Sequence, residues 1–355
     1  MGNKEFYLGW QVGITYGSAK PEGNSFKYMI RLLDEMSDHG MNYLSLMMTS
    51  YAYFDKGHDG FSWPVRNRKL ECLRDKNALN ANEKTEYVSA VIEEAKKRGI
   101  GIQLFSNLSI YNPEKIIFSF PEATEQKQKN GQSCPWLFCP ECDDVLQAEN
   151  SEIEDLLTYY HHENVCSIGY ERLSFSPGSC YCRFCQEKFF NDTGKNIFDY
   201  QDGDLLFDEW KNKNISEKLY NFNRRIKDKK NDIEIWLHTS CAKGWGHQPD
   251  KLQDSLVDYV MPHIAHFKTT RQEYISKMDK LAPCEMVLQM CVRNKGLQNY
   301  PLWEKTPQII AEVGEWIYDY VQQDHRLKGV VFFNENNVSD DNRNAVYQLV
   351  ERLKK

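Results

Sequence analysis

Residues 85–108, TEYVSAVIEEAKKRGIGIQLFSNL, contain one helix–strand unit of the fold. Residues 85–99 place apolar side chains at the helical period and end in Gly99, which can take the left-handed conformation that closes a helix. Residues 100–108 form a short apolar run, as expected of a buried strand. The number of times that this unit recurs along the chain therefore predicts the fold class.

Strand-like runs alternate with helical segments eight times, and no low-complexity linker separates them. The strands are expected in FYLGWQVGI (6–14), MNYLSLMMTSY (41–51), IGIQLFSNL (100–108), CSIGYERLSF (166–175), IEIWLHTS (233–240), DYVMPHIAHF (258–267), EMVLQMCVR (285–293) and KGVVFFNE (328–335). Parallel strands need crossover helices, so eight such units predict a closed (β/α)8 TIM barrel of the α/β class. The prediction is one barrel domain over residues 1–355, and a doubly wound open sheet is the alternative.

Composition narrows the class of protein. The chain has 355 residues, of which 41% are hydrophobic, enough for a large core. Its net charge of −7 argues against binding nucleic acid or an anionic membrane. No apolar run reaches the length of a membrane span, and the start of the sequence lacks the pattern of a signal peptide. A cytoplasmic protein is expected, although a signal peptide removed beforehand would leave no trace, and the oligomeric state is open.

Strand alternation predicts which side chains enter the barrel. In residues 285–293, alternate apolar side chains such as Leu288 should face the helices, which leaves Gln289 and Arg293 for the interior. In residues 233–240, Trp236 and His238 should point inward and Leu237 outward. In CSIGYE (166–171) the same phase puts Ser167 and Gly169 deep in the barrel and Glu171 at its C-terminal mouth, where barrel enzymes place their chemistry.

Three cysteines occur within PGSCYCRFCQEKFF (177–190), directly after the fourth strand, as C-x-C-x-x-C. The loop after the third strand, NGQSCPWLFCPECDD (130–144), contains three more, and the two loops are neighbours in a barrel. Four thiolates around one ion form a structural zinc site without an open position for water. We expect zinc on Cys139, Cys180, Cys182 and Cys185, with Cys134 or Cys142 as alternatives to Cys139.

The segments FCPECDDV (138–145) and CYCRFCQEKFF (180–190), with a carboxylate at the end of the intervening strand, resemble the zinc-bearing (β/α)8 glycoside hydrolases. Family 42 β-galactosidases and related barrel hydrolases are the relatives implied. The loop FPEATEQKQKNGQS (120–133) also resembles the segment that leads into the first zinc ligand of that family. The resemblance covers roughly residues 115–195, and it implies a glycosidase, a carbohydrate substrate and the four cysteine ligands named above.

Two features depart from that family. Its strand-four acid follows an asparagine, whereas Tyr170 precedes Glu171 here. Its nucleophile is a glutamate at the end of strand seven, whereas this strand ends with Gln289, Cys291 and Arg293. The resemblance therefore favours a sugar-processing barrel more strongly than it favours β-galactosidase activity.

Glycoside hydrolysis needs two carboxyl groups, and Glu171 is the first candidate. Its partner is expected to be Glu335 after the eighth strand, or Asp55 or Asp59 after the second. Glu335 would lie across the barrel from Glu171, a wide separation that suits an inverting enzyme, but it could equally cap the last helix.

The remaining candidates would bind the sugar, because aromatic rings stack on its apolar faces and polar side chains bond its hydroxyls. These substrate-binding candidates are Trp10, Tyr51, Trp63, Trp236, His238, His263, Gln289 and Arg293. Two other functions stay open: a carbohydrate-binding barrel without hydrolytic chemistry, and a sugar lyase or isomerase with a histidine base.

Overall fold

The computed structural model describes residues 6–14, 25–50, 59–81, 86–171, 173–239, 241, 244–265, 270–294 and 304–354. Its main sheet is parallel and closes on itself. The strands are β1 (Tyr7–Gly13), β2 (Tyr43–Met47), β3 (Gly101–Asn107), β4 (Val165–Glu171), β5 (Glu234–His238), β6 (the two short segments Tyr259–Val260 and His263–Ile264), β7 (Met286–Cys291) and β8 (Leu327–Phe333). The (β/α)8 barrel predicted from the sequence is confirmed.

The helices cover the outside of the sheet. They are α1 (Phe26–Asp38), α2 (Tyr87–Lys97), α3 (Pro113–Ile116), α4 (Asp143–Tyr159), α5 (Arg183–Thr193), α6 (Leu205–Lys229), α7 (Pro249–Leu252), α8 (Arg271–Asp279), α9 (Pro307–Gln323) and α10 (Asp340–Leu353). Gly99, just beyond α2, has a φ of 69°, the left-handed conformation expected of it at a helix end, and Gly40 just beyond α1 has the same φ. No helix in the described ranges is both long and apolar enough to cross a membrane.

Two short antiparallel hairpins lie in the loops at the C-terminal ends of the strands. One pairs Thr49–Ser50 with Gly60–Phe61 after β2, and the other pairs Glu125–Lys127 with Ser133–Phe138 after β3. The second hairpin leads to Cys139 and then directly to α4, so it sets the position of the first cysteine-rich loop.

The expected alternation of side chains is also confirmed. Leu237 and Leu288 pack in the core layer that contains the helices, whereas Trp236 belongs to a separate cluster of residues from the barrel sheet, which contains no helix residue. Inside the barrel, the Nε2 of Gln289 on β7 donates to Gln11 on β1, although β8 lies between these two strands. Such a contact is possible only across the interior, so Gln289 points inward as predicted.

Gly169 shows why small residues lie deep in β4. A Cβ atom at this position would come within 2.7 Å of the side chain of Gln103, which is itself buried and accepts a hydrogen bond from Ser45 Oγ at 2.7 Å. The missing side chain therefore leaves room for a buried polar layer formed by Gln11, Ser45 and Gln103, just below the mouth.

Candidate active site

Glu171 is the last residue of β4, at the C-terminal mouth of the barrel, and its side chain is partly exposed. In the sheet it pairs with Asn107 at the end of β3 and with His238 at the end of β5. Its carbonyl oxygen accepts a hydrogen bond from the amide of Leu108 at 3.1 Å. The backbone of Glu171 is thus held on both sides by neighbouring strands of the barrel.

His238 and His263 lie together beside Glu171. The Nδ1 of His238 is 3.3 Å from the Nε2 of His263, and the His238 ring packs against Phe105 with ring centres 4.3 Å apart. His238 is buried, whereas His263 is partly exposed and pairs with Gln289 in the sheet. The structure therefore brings three of the predicted site residues, Glu171, His238 and His263, to neighbouring strand ends.

Arg293 follows β7 by two residues and is buried. Its carbonyl oxygen accepts a hydrogen bond from the amide of Lys305 at 2.7 Å, and Lys305 is also buried. Both cations act on the thiol of Cys291 and favour its thiolate, although burial dominates and raises the pKa of Cys291. Two positive groups therefore lie close to the end of β7.

Glu335 requires a correction, because it does not face the mouth. Its side chain is fully buried and contacts Arg343 on α10 and the hydroxyl of Tyr28 on α1. Arg343 also donates to Glu35 at 2.8 Å, so the carboxylate belongs to a network between two helices. A buried carboxylate is costly unless it is paired, and this pairing replaces both the catalytic and the helix-capping role expected from the sequence.

Asp59 lies in the loop after β2, and two side chains from the segment after β3 bind its carboxylate. Asn112 Nδ2 donates to Asp59 Oδ2 at 2.7 Å, and Lys115 Nζ lies 2.9 Å from the same oxygen. Asp59 is thus an ion-pair partner in this structure. Asp55 and Tyr51 lie outside the described residues.

The predicted tryptophans occupy packed positions. Trp10 lies between the sheet and the helices, with its ring against Phe332 and Tyr347, so its expected stacking position at the mouth is corrected. Trp63 stacks on Phe61 and donates to Asp155 at 2.9 Å, and it is likewise fully buried. These rings leave no accessible face for a sugar in this structure.

Trp236 does point into the barrel, but deep below the mouth. It stacks on Tyr43 with ring centres 4.5 Å apart, and its Nε1 donates to Glu234 at 3.2 Å, at the N-terminal start of the same strand. Tyr7 Oη donates to the same carboxylate at 2.8 Å. Trp236 therefore fills the bottom of the barrel, and the inward direction was predicted correctly while the depth was not.

Cys139, Cys180, Cys182 and Cys185, hereafter the thiol cluster, are all buried, and their sulfur atoms lie within 4.8 Å of one another. The Sγ of Cys139 is 3.5 Å from that of Cys185 and 3.4 Å from that of Cys182. Sulfur atoms around a tetrahedral zinc would be about 3.8 Å apart, given bonds of about 2.3 Å. The arrangement is compatible with a structural metal.

Two backbone amides point at the thiol cluster, as expected around metal-bound thiolates. The amide of Lys127 donates to Cys180 Sγ at 3.3 Å and that of Glu141 to Cys139 Sγ at 3.4 Å. Contacts with the other three thiols lower the pKa of Cys182, whereas burial raises the pKa of Cys139 and Cys185. Four ionised thiols this close together would repel one another, so they need a cation.

Cys134 and Cys142, the alternatives to Cys139, lie outside this group. Cys142 precedes α4 and donates from Sγ to the carbonyl oxygen of Glu122 at 3.2 Å. Cys134 is buried in the hairpin that leads to the thiol cluster.

Gln126 joins the loop after β4 to the hairpin that leads to Cys139. Its Nε2 donates to the carbonyl oxygens of Phe138 and Ser174, at 3.0 and 2.9 Å, and its Oε1 accepts from the amide of Ser176 at 2.7 Å. Gln126 is buried, and Ser174 comes three residues after Glu171. One amide side chain therefore links Phe138, the residue before Cys139, to the loop that follows Glu171.

Sequence reasoning missed several of these residues. Asn107 could have been found, because it continues the inward phase of Gln103 and Phe105 on β3. Gln126 and Lys218 gave no signal, since their role depends on contacts between distant loops. Lys218 on α6 forms a partly buried ion pair with Glu141 at 2.8 Å, and the amide of Glu141 donates to Cys139 Sγ.

Comparison with solved structures places this geometry in a known fold. The β-galactosidase of Bacillus circulans sp. alkalophilus aligns with a TM-score of 0.67 at 11% identity, over 99% of this chain and 56% of that enzyme. The PgaB (BpsB) glycoside hydrolase domain of Bordetella bronchiseptica gives 0.69 at 11% identity, over 96% and 98%. The GH42 β-galactosidase Gan42B gives 0.65 at 10% identity, over 99% and 57%.

The chain has the fold of glycoside hydrolase barrels. It spans just over half the length of the β-galactosidases compared, and at this identity the likeness concerns the fold alone. No protein-family model matches the chain, and a search of curated proteins found no match by sequence.

Proposed function

We propose that this protein is a glycoside hydrolase in which Glu171 protonates the leaving glycosidic oxygen. The observation that carries the proposal is the position of Glu171, at the mouth of the barrel and in register with Asn107 and His238. Barrel enzymes place catalytic groups at these strand ends, and the solved structures of this fold compared above are named as glycoside hydrolases. The entire chain would form this one catalytic domain.

Hydrolysis requires a second carboxylate, which attacks the sugar or activates water. Because Glu335 and Asp59 are held in ion pairs, Asp55, in the segment after β2, is the partner we propose. His238 and His263 would bond sugar hydroxyls beside Glu171, and Gln289 would support them from the polar layer below.

The thiol cluster would hold one zinc ion with a structural role. Four sulfur ligands leave no position for water or substrate, so the metal would not take part in the chemistry. It would fix the loop after β4, and through Gln126 it would hold the segment that begins directly after Glu171.

The test is a panel of nitrophenyl glycosides with purified wild type, Glu171→Gln and Asp55→Asn. Each substitution should lower kcat by about 10²–10⁴-fold, because a positioned general acid or its partner is lost, while the melting temperature stays close to that of the wild type. Glu187→Gln on the exposed face of α5 is the control, with unchanged kcat. Wild-type turnover by Glu171→Gln would disprove the assignment.

A carbohydrate-binding barrel without hydrolysis is the second candidate. It is favoured by one observation: two of the acids proposed for catalysis, Glu335 and Asp59, are held in ion pairs. Binding of oligosaccharides without turnover of any glycoside would support it.

A sugar lyase or isomerase is a third candidate, favoured by the contact between His238 and His263. One imidazole could act as the base and the other could orient it. In that case His263→Gln would abolish the activity and Glu171→Gln would not.

A further inference from the structure

The segments that follow β4, β5, β6 and β7 are basic, although the chain as a whole has a net charge of −7. In residues 172–182, 239–248, 265–270 and 292–306 the sequence has one acidic residue, Glu304. The basic residues in these segments are Arg172, Lys243, Lys268, Arg293, Lys295 and Lys305, of which Arg293 and Lys305 lie within the described residues. Positive charge is thus concentrated in the sequence at one set of strand ends.

The topology makes these four strand ends neighbours. Strand β4 pairs with β5, β5 with β6, and β6 with β7, so their C-terminal ends form one continuous half of the mouth. Glu171 lies at one edge of this half and Arg293 at the other, and the imidazoles of His238 and His263 lie between them. The positive charges of Arg293 and Lys305 on this side would attract an anionic ligand toward Glu171.

Two of the basic residues are fixed by the described structure. Arg293 is 7% exposed and Lys305 is 5% exposed, and a backbone hydrogen bond of 2.7 Å joins them. Both act electrostatically on the same thiol, that of Cys291 at the end of β7, so their charges lie in one small region. Burial lowers the pKa of Lys305, since an ammonium group loses its hydration there, and a nearby anion would offset this effect.

The chemistry of arginine narrows the ligand. A guanidinium presents parallel N–H donors that match the two oxygens of a carboxylate, and this pairing gives direction as well as energy. A neutral hydroxyl group uses neither the charge nor the paired donors. The residue at this strand end therefore suits a sugar that bears an acidic group.

We propose that the ligand of this barrel is an acidic sugar, a uronic acid, whose carboxylate is bound by Arg293 with Lys305 in support. The proposal rests on the glycoside hydrolase function for its hydrolytic form only. The sugar ring would extend from Arg293 past His263 and His238, with its glycosidic bond toward Glu171.

The kinetic test compares matched nitrophenyl glycosides of both anomers: glucuronide against glucoside, and galacturonide against galactoside. Wild type should favour the uronides by at least about tenfold in kcat/KM, as a site built to bond a polar group does. Arg293→Met should remove most of this preference, chiefly through KM, and Arg293→Lys should keep part of it. Arg225→Met, which removes the same charge from an exposed part of α6, should leave the preference unchanged.

A binding test separates this proposal from the proposed function. Calorimetry with Glu171→Gln and uronic-acid or neutral oligosaccharides should show tighter binding of the acidic ones, weakening as salt rises from about 0.05 to 0.3 M. Tighter acidic binding with no turnover by wild type would sink the hydrolase and keep the ligand class. Turnover of neutral glycosides without a preference for acidic ones would keep the hydrolase and reject the acidic ligand.

A third arm separates carboxylate from sulfate. Sugars sulfated at the same carbon should bind more weakly than the uronic acids, and the opposite order would overturn the assignment to a carboxylate. If Arg293→Met does not fold, the salt dependence of the wild type and the smaller loss expected for Lys305→Met decide the matter. Equal binding of acidic and neutral sugars by wild type overturns the proposal regardless of the variants.

Discussion

The thiol cluster and the Glu335–Arg343 pair are both buried polar groups behind loops at the mouth, but they balance charge differently. Glu335 contacts the guanidinium of Arg343 from α10 and the hydroxyl of Tyr28, so this group contains both a negative and a positive charge. The thiol cluster gathers four groups that become negative when they ionise. The only other direct contacts described are with backbone amides, such as that of Lys127.

This difference separates a self-neutralised network from a site that is compatible with a bound cation. A pair that neutralises itself needs nothing from solution, and its carboxylate is no longer available for catalysis. Four adjacent thiols have no such internal solution, because four thiolates repel one another without a cation. Glu335 therefore belongs to the framework, whereas the thiol cluster is compatible with a structural metal.

The largest effect is expected from Cys182→Ser. Losing one sulfur ligand should release most of the metal and lower the free energy of unfolding by several kcal/mol, since structural zinc contributes directly to folding. The measurement is metal content together with the melting temperature. Cys142→Ser is the matched control from the same cysteine-rich segments and should keep the metal. The assignment would be contradicted if the wild type contained no metal and had the same melting temperature as Cys182→Ser.

A smaller effect is expected from Arg343→Met. It leaves Glu335 buried without its cation, which should lower the free energy of unfolding by about 3–5 kcal/mol. Denaturant titration of Arg343→Met, Glu335→Gln and the double variant gives the coupling between them. The double variant should be more stable than Arg343→Met alone, and a loss no larger than that of an exposed arginine would show that the pair is not buried in solution.

A third way to bury a carboxyl group occurs on α4, directly after the first cysteine-rich loop. Glu149 and Glu152 are fully buried, and burial raises the pKa of each to about 8. Their partners are hydroxyl groups, of Ser109 for Glu149 and of Ser106 and Tyr111 for Glu152. These acids avoid a buried charge by keeping a proton, whereas the thiol cluster would balance its charge with a metal.

The smallest effect is expected from the pH dependence of Glu152. Its pKa in the fold is about 8, above its unfolded value of 4.5, so the stability it contributes is complete below pH 4.5 and is lost as pH rises to 8. As the pH rises from 6 to 8, the free energy of unfolding of the wild type should therefore fall by about 2 kcal/mol more than that of Glu152→Gln. Unfolding titrations at several pH values measure this difference, and parallel curves for the two proteins would refute it.

The sequence was sufficient for the barrel because period and chain order are local properties. All eight apolar runs became strands, and the alternation in EMVLQMCVR correctly put Gln289 inside and Leu288 outside. Cys139, Cys180, Cys182 and Cys185 could also be chosen, because a C-x-C-x-x-C loop and its neighbouring loop restrict the partners to a few residues.

The candidate site was only partly accessible to the same reasoning. The positions of Glu171, His238 and His263 at neighbouring strand ends could be predicted, because strand ends in phase meet at the mouth. Glu335 was misplaced, since the pattern gives its position in the chain but not the direction that its side chain takes after the strand ends. That direction depends on Arg343, which lies one helix turn into α10 and reaches Glu335 only after the helix has packed.

The sequence by itself determined the number and order of the strands, their inner and outer faces, and the two loops that form the thiol cluster, whereas the choice of Cys139 over Cys134 and Cys142 needed the structure. The tertiary structure alone decided the depth of Trp236 in the barrel, the pairing of Glu335 with Arg343 and the link that Gln126 forms between two loops. The reason is physical: periodicity acts between near neighbours along the chain, whereas strand stagger and the compensation of buried charge depend on residues that meet only in the folded barrel.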